Sequence, residues 1–189
     1  MPKKVGVNYR QLIIPFLILV AIIVIDQLTK LWAVGNLIEG EIKQVIGQFF
    51  QLKLIYNQGG ALGIDLGSNI FYLATSLVIL IFIISFVYSN RDKPAVSRPL
   101  ALIAGGAVGN IIDRIASGRV VDFLDFDFFD FQLFGNKIER WWTFNVADAA
   151  ITVGIILLVI WILFSAGSKG ASATPPPGEA GNIESSQDF

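Results

Sequence analysis

The sequence contains no histidine and no cysteine. The first absence removes the commonest general base, the Ser–His triads, His-ligated metals and the HExxH zinc peptidases. The second removes disulfides, thiolate nucleophiles and Cys-based zinc sites. Charge is scarce as well: only 15% of residues are Asp, Glu, Lys or Arg, and the formal net charge is −1. No basic face is available to neutralise phosphates, so nucleic acid is excluded as a partner. Acid–base chemistry in this chain must fall to Asp, Glu, Lys or Tyr.

What remains is mostly hydrocarbon. Of 189 residues, 54% are apolar, more than a water-soluble chain of one domain's length can hide. Four stretches, about Leu12 to Val34, Ile70 to Val87, Pro99 to Ala116 and Phe144 to Phe164, are each long enough to cross about 30 Å of hydrocarbon at about 1.5 Å per residue. Lys3, Lys4 and Arg10 ahead of the first stretch imitate a signal peptide. No small-x-small cleavage site follows, so the stretch reads as an uncleaved span.

Basic residues orient the spans. Lys3, Lys4 and Arg10, and then Arg91, Lys93 and Arg98 in the short second loop, place both termini in the cytoplasm. The loops of about Gly35 to Asn69 and Gly118 to Thr143 then lie outside. The sequence therefore predicts an all-α integral membrane protein. Its four transmembrane helices fall within residues 1–166, with a small extracytoplasmic β-rich or loop region. Residues 167–189, which include Ser172 to Gly178 reading SATPPPG, form a disordered tail.

Charged residues inside a membrane are costly and mark functional sites by default. Counting along each span places Asp26 and Lys30, then Asn110, Asp113 and Arg114, then Asn145 and Asp148 in one outer layer. Asn110, Asp113 and Arg114 are spaced i, i+3, i+4, and Asn145 and Asp148 i, i+3, so each set shares a helix face. Gly105 and Gly109 form a small-xxx-small pair that lets the third span approach a neighbour. A purely structural reading pairs Asp26 with Lys30 and Asp113 with Arg114.

Outside the spans, Asn57 to Gly63 reads NQGGALG, a glycine-rich turn with a polar start. Val120 to Phe131 alternates carboxylates with apolar and aromatic residues, which predicts an extended amphipathic strand at headgroup level. Its carboxylates could recruit a divalent cation, but a solvated acidic face is the simpler reading. The residues alone leave open whether Asp113 or Asp122 partners Asp148.

Taken in order, five segments resemble the lipoprotein signal peptidases (signal peptidase II). They are Asp26-Gln27-Leu28-Thr29-Lys30, the Asn57 to Gly63 turn, Gly105 to Arg114, Val120-Val121-Asp122-Phe123 and Phe144-Asn145-Val146-Ala147-Asp148. The resemblance implies a bacterial inner-membrane aspartic peptidase, active at the outer face. Its substrates would be diacylglyceryl-modified prolipoproteins in the membrane lipid, cut just before the lipid-modified cysteine. It implies a catalytic pair at Asp122 and Asp148, with supporting residues at Asp26, Asn57, Gly59, Asn110, Arg114 and Asn145. It implies no cofactor or metal, a monomer, and inhibition by globomycin-type cyclic peptides. Leu62 stands where an aromatic is usual, and an acidic–aromatic insert from about Asp125 to Trp142 lengthens the outer rim.

Rival readings use the same residues differently. A small proton- or ion-coupled transporter would employ the carboxylates as a relay, but they cluster on one side and no internal repeat is evident. A non-catalytic assembly factor would need the polar belt only for packing. A Ser–Lys dyad with Lys30 as base would have to draw on Ser68 or Ser117, and neither lies in a supporting motif.

Overall fold

The computed structural model describes residues 9–59, 68–127, 131–133, 136–138 and 142–170. Its helices are α1 (Arg10–Asn36), α2 (Asn69–Ser89), α3 (Pro94–Ser117) and α4 (Val146–Gly170). Its strands are β1 (Ile42–Ile46) and β2 (Phe50–Asn57) between α1 and α2, and β3 (Val120–Phe126), β4 (Phe131–Leu133) and β5 (Asn136–Ile138) between α3 and α4. All four helices are long and apolar enough to cross a membrane. Helix α4 continues past Gly167, where the sequence reading began the tail; residues 171–189 lie outside the described residues.

Burial runs opposite to that of a soluble bundle. In α1 the buried residues are Pro15, Asp26, Lys30 and Ala33, while Ile13, Phe16, Leu17 and Leu28 are exposed. In α2 only Tyr72 is buried. Lipid solvates such apolar faces as well as a protein core would, so polar groups turn inward and helices associate by close packing. Helix α3 is the exception that organises the rest. Its buried residues include Gly105, Gly106, Gly109, Asn110, Ile111 and Asp113.

The glycines of α3 explain how close its neighbours come. A Cβ on Gly105 would lie 2.9 Å from Ile22 Cβ, and one on Gly109 would collide with the Asp26 carboxylate, so this pair faces α1. A Cβ on Gly106 would collide with the Ala147 carbonyl oxygen of α4, and one on Gly154 of α4 would lie 2.7 Å from the Pro99 carbonyl oxygen of α3. The polar residues one turn beyond Gly106 and Gly109 are thereby held at the crossing of three helices.

The strands sit at the end where α1 and α3 finish and α4 starts. Gly118 closes α3 in the left-handed region, φ 74°, with its amide on the Arg114 carbonyl. This turn sends the chain directly into β3. Strands β1, β2 and β3 form an antiparallel sheet in that order, and β4 and β5 form a separate hairpin. The register of β2 on β3 pairs Ile55 with Asp122 and Asn57 with Val120 after an irregularity between Leu52 and Ile55. Phe144 exchanges backbone hydrogen bonds with Leu124, which ties the start of α4 to β3. Phe126 stacks on Phe50 at 4.3 Å and on Phe144 at 5.8 Å at the same place.

Two expectations for the outer region change. The strand expected over residues 120–131 ends at Phe126, and the chain starts a new hairpin at Phe131. Among the described residues its carboxylates do not form a solvated face: Asp122 and Asp125 are buried and Asp127 is half-buried. Strand β2 and the returning Phe144 segment pair with the two edges of β3. Asp130, the loop residues Gly60, Ala61, Leu62 and Gly63, and much of the acidic–aromatic insert lie outside the described residues.

The close approach at Gly106 yields a direct test. Gly106→Ala puts a methyl against a backbone carbonyl that cannot swing away, and overpacking of this kind costs about 1–3 kcal/mol. Gly35→Ala meets nothing within 4 Å and is the control. Thermal unfolding in one detergent should show a lower Tm for Gly106→Ala only. Equal Tm values for the two variants would contradict the packing described.

Candidate active site

Helix α4 begins with a reciprocal cap. Asn145 Oδ1 accepts the Asp148 amide at 2.9 Å, and Asp148 Oδ2 accepts the Asn145 amide at 3.2 Å. This is the geometry of a capping box, here with Asn and Asp. Asp26 Oδ1 takes the intervening Ala147 amide at 2.9 Å. Three carboxamide and carboxylate groups thus satisfy amides that would otherwise be orphaned in the membrane. The sequence spacing predicts that Asn145 and Asp148 share a helix face; Asn145 instead sits just ahead of the helix, and while its Oδ1 caps α4 its Nδ2 reaches elsewhere.

It reaches Asp122. Asn145 Nδ2 donates to Asp122 Oδ1 at 2.7 Å and lies 3.1 Å from Asn110 Oδ1. Asn57 Nδ2 donates to the second oxygen, Asp122 Oδ2, at 3.0 Å. Asn57 and Asp122 occupy neighbouring positions on one face of the β2–β3 pair, so strand register makes this contact. On the α4 side, Asn110 Nδ2 donates to Asp148 Oδ1 at 2.8 Å. Asp122 and Asp148 are therefore joined through a single residue, Asn145, and each takes a further amide donor from a different element.

Burial and, secondly, the nearby Asp148 carboxylate push Asp122 up to about 7, against the hydrogen bonds from Asn57 and Asn145 and the charge of Lys30. Desolvation and a like charge both disfavour ionisation. The result is a carboxyl group that gains and loses a proton near neutrality, as a general acid–base group must.

Behind this pair lies a buried ionic cluster. Lys30 Nζ is 2.8 Å from Asp26 Oδ2, 2.8 Å from Asp113 Oδ2 and 2.9 Å from Asn110 Oδ1. Gln27 Nε2 bridges Asp113 Oδ1 at 3.0 Å and Asp26 Oδ2 at 3.2 Å. The pairing of Asp26 with Lys30 stands. The pairing of Asp113 with Arg114 does not, because successive helical residues point in different directions. Asp113 turns to Lys30, while Arg114 Nη2 donates to the Gly59 carbonyl at 3.3 Å and its guanidinium lies 5.9 Å from the Tyr72 ring centroid. Gly59 in turn donates its amide to Asn57 Oδ1 at 2.9 Å.

All the proposed site residues thus meet at one end of the bundle: Asp26, Asn57, Gly59, Asn110, Arg114, Asp122, Asn145 and Asp148. Sequence reasoning left Lys30, Gln27 and Tyr72 out of the site. For Lys30 the i, i+4 spacing from Asp26 signals the first carboxylate, and its shared depth with Asp113 is the available signal for the second. The Ser–Lys alternative fails on geometry: Ser117 Oγ bonds the Asp113 and Arg119 carbonyls, and Lys30 is held between carboxylates. Among the described residues no three carboxylates converge on a point that could hold a metal ion.

Comparison with known proteins bears on the family of the chain. Residues 18–164 match the family described as Signal peptidase (SPase) II. The lipoprotein signal peptidase of Chlorobium phaeobacteroides (strain BS1) is 41% identical over 148 residues, 77% of this chain and 93% of its own length. That of Moorella thermoacetica is 39% identical over 158 residues, 82% and 97% of the two chains. A bacterial membrane enzyme solved by the in meso method at 2.3 Å superposes with a TM-score of 0.70 at 30% identity, covering 88% of this chain and 94% of that one. The chain belongs to the signal peptidase II family.

Proposed function

We propose that this protein is an aspartic endopeptidase that removes the signal peptide from lipid-modified prolipoproteins, with Asp122 and Asp148 as its catalytic pair. The observation that carries the reading is the junction at Asn145. It links the buried Asp122 carboxylate to the half-buried Asp148 carboxylate of a separate element, in a chain with neither histidine nor cysteine to offer another base or nucleophile. The relatives' names support the substrate class.

Two carboxylates in one desolvated site cannot both ionise readily, so the pair holds one proton. The ionised member takes a proton from a bound water as the water oxygen attacks the scissile carbonyl. The protonated member gives its proton to the carbonyl oxygen, leaving a tetrahedral diol. The carboxyl that took the water proton then gives it to the amide nitrogen while the other carboxylate takes a proton from a diol hydroxyl. The C–N bond breaks, acid and amine leave, and the pair again holds one proton. The proton belongs to the pair and not to either residue. Asn57, Asn110 and Asn145 hold the carboxylates without competing as bases.

Arg91 and Lys93 in the α2–α3 loop, with Arg98 near the start of α3 and not in the loop where the sequence suggested it, favour the cytoplasm. The site, at the opposite end of α3, then faces outward. There a diacylglyceryl chain can stay in the bilayer while the bond before the modified cysteine enters the site. A proton- or ion-coupled transporter finds no support: the buried charges among the described residues gather at one end, and the matched family is a peptidase family.

Asp122→Asn and Asp148→Asn should each lower turnover of a lipid-modified precursor at least 100-fold, on the order of the loss of a general acid–base group. Folded yield should hold, since Asn keeps the volume but cannot cycle a proton. A large retained turnover in either variant would remove that residue from the pair.

Stability should carry a matching signature. A folded Asp122 raised to about 7 binds more proton than the unfolded chain between its ordinary value of 3.8 and that point. Wild-type stability therefore falls as pH rises through this window. Asp122→Asn lacks the penalty, so its Tm should rise relative to wild type from pH 4 to pH 8, values on the order of the window's edges. A Tm difference that stays constant with pH would contradict the raised value.

A further inference from the structure

The Lys30 cluster does more than neutralise itself. The Asp26 carboxylate that Lys30 holds takes the amide of Ala147, the residue before Asp148, at 2.9 Å. The Asp113 carboxylate that Lys30 also holds takes the amide of Val121, the residue before Asp122, at 3.1 Å. A third arm runs from Lys30 through Asn110 Oδ1, and Asn110 Nδ2 reaches the Asp148 carboxylate. Each member of the pair thus hangs by the preceding backbone amide from a carboxylate whose place is set by one ammonium. A purely structural ion pair has no need of this symmetry.

We propose that Lys30 is a positioning residue for proteolysis: by holding Asp26 and Asp113 together it fixes the separation and aim of Asp148 and Asp122. The inference rests on the reading of those two aspartates as the catalytic pair. The charged and titratable groups facing the pair are Asp26 and Lys30 from α1, Tyr72 from α2, and Asp113 and Arg114 from α3. Among these Lys30 touches both carboxylate tethers. Gln27, which bridges the same carboxylates, supports the arrangement without charge.

The test uses the full chain in proteoliposomes with a synthetic lipid-modified precursor peptide, every rate being normalised to folded protein. Lys30→Met should lower kcat roughly 100-fold, the scale of an ångström-sized misplacement, and leave KM little changed. It should also draw the two limbs of the pH–rate profile together, because coupling between carboxylates falls as they separate. Simple loss of the lysine charge moves both limbs in the same sense and does not alter their spacing. Asp113→Asn, which keeps an acceptor for the Val121 amide, should lose far less kcat than Asp113→Ala. If Lys30→Met fails to fold, the Asp113 comparison decides alone. A folded Lys30→Met with wild-type kcat and limb spacing, or equal kcat for the two Asp113 variants, would overturn the inference. If the control Asp122→Asn keeps its turnover, the pair itself is misassigned and the positioning role falls with it; loss of turnover there, with normal Lys30→Met kinetics, refutes the positioning role alone.

Discussion

A lysine and two aspartates sit buried among helices whose outer faces belong to lipid. Breaking a buried ion pair strands a charge at a cost of about 3–5 kcal/mol, so the neighbours of Lys30 are tightly constrained. Asp26 must lie against α4, Asp113 must receive the start of β3, and Asn110 must stand between Lys30 and Asp148. The site is the outer layer of this cluster. Its two carboxylates occupy what the ionic core leaves unfilled, where donors are amides and no cation lies within salt-bridge distance among the described residues.

Close packing makes the cluster possible. Gly106 and Gly109 let α4 and α1 approach α3 until Ala147 and Asp26 meet its backbone. A larger residue at either position would part the helices that carry Asp26, Asn110 and Asp148. The lipid-facing surfaces, by contrast, impose little: most of α2 is exposed, and its buried tyrosine lies beneath Arg114. The constraint on this sequence is thus concentrated in a narrow layer at one end of the bundle.

That layer was legible where helical geometry alone determines it. Depth counting brought Asp26, Asn110 and Asp148 together because their helices cross the same slab at a fixed rise per residue. Strand register is another matter. Asn57 meets Asp122 through the pairing of Ile55 with Asp122, which follows an irregularity in β2 that composition does not announce. The alternation after Val120 suggests a solvated acidic face, yet β2 and the Phe144 segment pair with the two edges of β3, and Asp122 and Asp125 are both buried. Arg114 looked like the partner of Asp113 by adjacency; helical divergence gave that role to Lys30, whose distance of 83 positions along the chain hides the pairing. The motif Asn145 to Asp148 was read as one helix face, whereas its N-x-x-D spacing marks a cap.

The most direct measurement is a titration of ¹³C-labelled aspartate carboxyls by NMR in lipid, comparing wild type with Asp148→Asn. The Asp122 signal should titrate near 7 in wild type. It should move down when Asp148 loses its charge, as expected for two carboxylates that share a proton. An Asp122 signal that titrates at the ordinary value of 3.8 and ignores Asp148→Asn would contradict the coupled pair on which this account depends.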